Sequence, residues 1–243
     1  MKAAITIIAA TVLTASHPVA SQAGFFDDLT SSLGLSGGST AVDDATISKG
    51  LKEALSTGTT RAVQAVSRTD GYFGNQAIKI LVPEKIRSTT QLLSEFGYRK
   101  QVDEFVLTMN RAAEKAAPKA TEYFVEAVAS MTFEDARAIL NGGQTSATEY
   151  FRKKTGDKIY EAFKPVVITS MKDVGVARSY SQITEKYERI RFTGIMPSFD
   201  LDHYVTTKAV DGLFSMLGEE EKKIRTDPAA RGTELLKKVF GSK

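Results

Sequence analysis

A chain of 243 residues, 42% apolar and 25% charged, carries enough hydrophobic side chain for one sizeable core without help from metal or disulfide. It has no cysteine, which excludes disulfides, thiolate nucleophiles, Cys-ligated zinc and iron–sulfur clusters. A net charge of only +3, with no basic stripe interleaved with aromatics, argues against nucleic acid as a partner.

Residues 1–23 have the three parts of a secretory signal peptide. Lys2 is the positive start, residues 3–13 are an apolar run, and Ser21-Gln22-Ala23 fits the small-x-small cleavage rule. The run is too short for a permanent bilayer span, and without Cys no lipoprotein anchor can form. The expected product is periplasmic, with no transmembrane segment in the mature chain. Cleavage removes His17 and leaves His203 as the remaining imidazole, so no metal ligand set, cofactor or catalytic residue is expected.

Residues 24–45 form a short segment ahead of the domain expected over 46–243. Phe25, Phe26, Leu29 and Leu33 lie on roughly one side of it, and 34–40 reads as a Gly/Ser linker. It suits packing on its own domain or docking on a partner or membrane surface. Its two aspartates argue against anionic lipid.

Ile47, Leu51, Leu55, Ala62, Val63 and Val66 predict a first long helix over 46–67. The loop 68–77 presents Tyr72, Phe73 and Asn75, either as lining of a cleft or as a plug at the core edge. Residues 78–82 (IKILV) read as one short strand-like element before Pro83. Helices follow over 83–96, stopped by Gly97, and over 98–116, and a new one starts at Pro118. The short connections predict antiparallel neighbours.

Thr132 and Asp135 form an approximate capping box ahead of a helix whose apolar face is Phe133, Ala136, Ile139 and Leu140. Asn141-Gly142-Gly143 ends that helix, with a left-handed C-terminal residue as the expected reason. Ser146 and Glu149 read as a second box opening the next helix. Asn141, Gly142, Gly143 and Arg152 also suit an anion site, with loop amides as donors and Arg152 in a short basic run. The alternative is that they are caps and a solvated face.

The words TFEDARAILNGG, ATEYFRKKT and AFKPVV resemble the bacterial family catalogued as domain of unknown function 4197. DLDHYVTTKAVDGLFSMLGEEEKKIR and DPAARGTELLKKVFG are similar to its C-terminal signature, and LKEALSTGTTRAV, the loop 71–75 and LTMNRAAEKAAP to its earlier part. The resemblance implies an exported, mostly helical bacterial protein and carries over no catalytic residues.

One helical face continues through Ile159, Phe163, Val167 and Met171 across Pro165, which is expected to kink it. The pattern resumes over 176–190 and includes Tyr180. Asp200 or Asp202 caps the last long helix, and His203 reads as a surface or packing residue. Glu219–Glu221 before Lys222, Lys223 and Arg225 reads as a solvated helix end. A final short helix starts at Asp227-Pro228.

The expected fold is all-α, a bundle-like domain of about eight to ten helices. The expected function is non-enzymatic binding of a small molecule, a lipid or an envelope protein. Candidate ligand contacts are Tyr72, Phe73, Asn75, Tyr150, Tyr160 and Tyr180, together with Asn141, Gly142, Gly143 and Arg152. The rival is a hydrolase or lyase run by carboxylates among Glu134, Asp135, Glu149, Asp200 and Asp202. Caps account for acids at these positions equally well.

Overall fold

Residues 44–173 and 199–231 are described by the computed structural model. Among them every regular element is a helix, and no strand forms. Helix α1 spans Asp44–Ser67 and α2 spans Glu84–Leu93; a π turn over Ser94–Tyr98 leads into α3, Arg99–Ala116. A 3-10 turn over Ala117–Lys119 precedes α4, Ala120–Ala129. Then come α5, Phe133–Asn141, α6, Ser146–Asp173, and α7, Leu201–Thr226. The elements expected over 176–190 and after residue 231, needed for a count of eight to ten, lie outside the described residues, as does Tyr180.

The core is built where α6 and α7 pack on each other and on α3, with α1 against α7, α4 and α5. Three fully buried rings hold its centre: Phe124 meets Phe151 edge-on at 5.2 Å and Phe214 at 5.9 Å. On the α3 side, Ala112, Ala113, Ala116, Ala117 and Ala120 are all buried, and their small side chains leave room for the bulky neighbours.

Several local expectations hold. Thr132 and Asp135 exchange both bonds of the capping box, each 3.1 Å. Asp200 caps α7 through His203 N–H at 2.8 Å. Gly97 stops a helix because it takes φ 86°, a left-handed value that side chains with a Cβ adopt at a cost.

Others are corrected. Residues 78–82 pair with no strand; a side chain replaces one. The Asn110 amide accepts from Ile80 N–H and donates to Ile80 C=O, both at 2.8 Å. Helices α3 and α4 are not antiparallel neighbours, because Ala117 and Ala120 keep right-handed helical dihedrals around Pro118; α4 packs instead on α1 and α6. Phe133 is 57% exposed rather than part of the apolar face of α5, which Ala136 and Ile139 supply. Helix α6 runs on through Pro165 to Asp173, as the apolar face continuing across that proline implied.

Gly142 ends α5 for a different reason from the one expected. Its dihedrals are extended (φ −81°, ψ −173°), not left-handed. A Cβ there would lie 2.1 Å from Ser146 Oγ and 2.9 Å from Ala138 O, so close approach of α6 to α5 demands glycine. Gly142→Ala is expected to cost about 1–3 kcal/mol of stability in urea unfolding. A variant as stable as the parent would mean the two helix ends separate freely.

Candidate functional site

Tyr72 is a core residue. It is fully buried, and its hydroxyl donates to Ala209 C=O at 2.5 Å. Burial first, then the Glu114 charge, pushes its phenol far above the usual range, so it stays neutral. Glu114, itself buried, accepts from Tyr72 N–H at 3.1 Å and Phe73 N–H at 3.3 Å, and ion-pairs with Arg111 at 2.6 Å. Donating that bond to Glu114 raises the Arg111 pKa, and Asp70 at 2.7 Å adds to it. Phe73 is half-buried beneath Lys79, whose Nζ sits 3.9 Å from the ring centre. Asn75 closes its own turn on Ala77 N–H and contacts Met216 Sδ at 3.2 Å. The loop is a plug. Tyr72→Phe is expected to lower unfolding free energy by about 1 kcal/mol through the lost bond to Ala209. An unchanged urea midpoint would contradict it.

The anion seat suggested by Asn141, Gly142 and Gly143 is filled by the chain itself. The α6 amides of Ala147 and Thr148 each donate to Glu221 of α7 at 2.9 Å, and the Thr148 hydroxyl adds a bond at 2.8 Å. Arg225 joins Glu221 at 2.9 Å and donates to Ile139 C=O at 2.8 Å. A carboxylate therefore meets the positive start of α6 and a guanidinium the negative end of α5. The second capping box does not form: Ser146 Oγ donates to Gly143 C=O and Glu149 accepts from Thr145. Helix end 219–226 is thus only partly solvated, since Glu220 and Glu221 are buried.

Tyr150 ties α6 to α4 through Ala127 C=O at 3.1 Å, and burial, with Asp135 next, raises its pKa. Arg152 pairs with Asp211 at 3.0 Å and lies 4.6 Å over the Phe214 ring. Tyr160 stands apart from these, its hydroxyl 2.7 Å from His203 Nδ1. Among the acids, Asp135, Glu149 and Asp200 serve helix starts, and Glu134 is exposed. Among the described residues no group of three His, Asp or Glu side chains gathers as metal ligands.

Among the described residues a roomier opening lies between the segment 77–87 and one face of α7. A cleft of about 570 Å³ runs there, lined by Lys79, Arg87, Lys208, Glu84 and Asp211; Arg87 pairs with Glu84 at 3.3 Å and Asp211 with Arg152 at 3.0 Å. A second hollow of about 250 Å³ adjoins it, walled by Lys85, Phe199, His203 and Thr207. Tyr204 and Lys208 line both, making one groove of the two. The wall is braced: Tyr204 donates to Leu81 C=O at 3.0 Å while Asn110 holds Ile80 from the other side. Burial raises the Tyr204 pKa, against a lowering by Arg87. Lys85 lies 6.0 Å from the Phe199 ring and Lys208 6.0 Å from the Tyr204 ring; among the described residues neither has a carboxylate partner.

Of the described residues expected to bind, none lines this groove, although Phe73 touches it through Lys79 and Tyr160 through His203. Sequence reasoning missed Tyr204 and Lys208. Their i,i+4 spacing on the face of α7 away from buried Val205 and Ala209 was the available signal.

Among the described residues no helix is long and apolar enough to cross a membrane. One family model, Protein of unknown function (DUF4197), matches residues 41–241. No curated protein and no solved structure matches the chain.

Proposed function

The chain belongs to the family of proteins of unknown function DUF4197, and from its own geometry we propose a non-enzymatic binding module that takes a small charged molecule in the groove along α7. One observation carries the reading: a cleft of about 570 Å³ on a braced scaffold, with Lys79, Arg87 and Lys208 among its walls. That size suits a small organic ligand, and the mixture of apolar wall and a few charged groups is what fixes orientation. The module works in the periplasm, exported by residues 1–23, whose three-part pattern supports this. The carboxylate hydrolase or lyase has no comparable support, since its candidate acids Asp135, Glu149 and Asp200 are engaged at helix starts.

The test is native mass spectrometry of the protein expressed as the full chain and recovered from a bacterial periplasm. Ser215→Trp serves as the blocked variant, because exposed Ser215 lines the cleft and the indole fills it from outside the core. The expected result is an extra mass lost on denaturation and absent from Ser215→Trp. No extra mass, together with no change of melting temperature across a panel of small anions and zwitterions, would refute the reading. Protein found only in the cytoplasm with residues 1–23 still attached would refute the export.

A further inference from the structure

Resting on that reading, we propose that the ligand is an organic acid with an apolar or aromatic body, and that its carboxylate seats in the smaller hollow against Lys85, Lys208 and the imidazole N–H of His203. The first support is the pair Tyr160 and His203. Tyr160 Oη and His203 Nδ1 lie 2.7 Å apart, and in the proposed seat the phenol, the stronger acid, donates to Nδ1. The ring proton is then on Nε2, and His203 becomes a donor whether neutral or protonated. Tyr160 is a positioning residue here, since it acts through His203 and is not a wall of the hollow.

Charge supplies the second support. Lys85 and Lys208 both line the hollow and have no carboxylate partner among the described residues. The acid of the wall, Asp200, accepts His203 N–H through one oxygen at 2.8 Å, and its single negative charge is outnumbered by the two ammonium groups. An incoming carboxylate meets two ammonium groups and an imidazole N–H, which are charge-assisted partners. The third support is the rest of the wall. Phe199 and Tyr204 stand edge-to-face at 5.5 Å and give the hollow an aromatic side. Thr207, also a wall residue, has a hydroxyl closed to solvent and without a hydrogen-bond partner. Buried hydroxyls are rarely left so, which leaves Thr207 with an unused polar atom at this wall. A bare phosphate would use the cations but not the rings. A carboxylate on an aromatic body uses both, and any longer tail passes Tyr204 and Lys208 into the larger cleft.

The test uses the full chain carrying His17→Gln, so that His203 is the sole imidazole, with ¹⁵N labelling. Long-range ¹H–¹⁵N spectra show which ring nitrogen holds the proton. Sodium benzoate is the probe, with benzamide as its uncharged equivalent and sodium phosphate as the ring-free anion. The expected spectrum has the proton on Nε2, and benzoate shifts the His203 signals saturably while benzamide leaves them in place. Lys208→Met should weaken benzoate about tenfold, the size of one charge-assisted bond. Tyr160→Phe should weaken it several-fold and also change the His203 tautomer populations, which a merely structural role would not. Phosphate binding as tightly as benzoate, an unmoved His203, or indifference to Lys208→Met would each overturn the acid seat. If a native extra mass is lost in Ser215→Trp while benzoate leaves His203 unmoved, the acid seat falls and the binding module stands. If there is neither extra mass nor benzoate binding, both fall.

Discussion

Replacing Asn110 by leucine is expected to lower the unfolding free energy by about 2–5 kcal/mol, although the two side chains are close in volume. Asn110 has no exposed surface, and its amide replaces a missing strand for Ile80 by binding both its N–H and its C=O. It also returns a bond to Val106 C=O at 2.7 Å. Leucine removes both partners of Ile80, whose side chain is 1% exposed, and leaves two buried backbone groups unsatisfied at about 1–3 kcal/mol each. The effect reaches the groove. Residues 78–82 are held on one side by Asn110 and on the other by the Tyr204 hydroxyl on Leu81, so loss of the first frees the cleft wall. Urea unfolding gives the energy, and faster exchange of the Ile80 amide locates it. A loss below about 1 kcal/mol would mean that 78–82 finds other partners and that Asn110 does not hold it.

Glu221→Ala should be comparably severe, about 3–5 kcal/mol, because it breaks one side of a buried ion pair and uncaps a helix at once. Glu221 is 7% exposed and its carboxylate serves Ala147 N–H, Thr148 N–H, the Thr148 hydroxyl and Arg225. Glu221→Gln keeps the shape but sets an NH₂ against one of the two amides, so its loss should fall between parent and alanine. The double replacement of Glu221 and Arg225 by methionine should recover part of the deficit, since no charge is then buried alone. If alanine were as stable as parent, the α5–α7 corner would be solvated in solution and the network would carry no weight.

The helices were legible from the chain because their signals are local. Apolar residues at 3 and 4 spacing, the Thr132–Asp135 box, the Gly97 stop and the Asp200 cap each act within about four residues. The same kind of reading put Phe133 on an apolar face, and it failed there because, among the described residues, Phe133 on that side of α5 stays 57% exposed. At Gly142 it found the right residue with the wrong cause. A helix stop can come from backbone freedom or from a neighbour too close for a Cβ, and only the second is true here.

The candidate site was the least legible part. Tyr72 and Phe73 drew notice as loop aromatics, yet one plugs the core and the other lies beneath Lys79. Lys85, His203 and Lys208 carry no motif. What joins them is that segment 77–87 comes to rest on α7, more than a hundred residues later.

Local signals along the chain set a mainly helical fold, most of its helix starts and stops among the described residues, and the chemistries that no cysteine and a scarcity of histidine forbid. Tertiary structure alone decided what the polar residues do. Glu221 reads as solvated charge until its helix lies across the start of α6, and Asn110 as one more helical residue until Ile80 comes within 2.8 Å. Periodicity and capping are written in neighbours along the chain. The partner of a buried polar group is whichever distant backbone packing brings within bonding distance, and no local pattern encodes that.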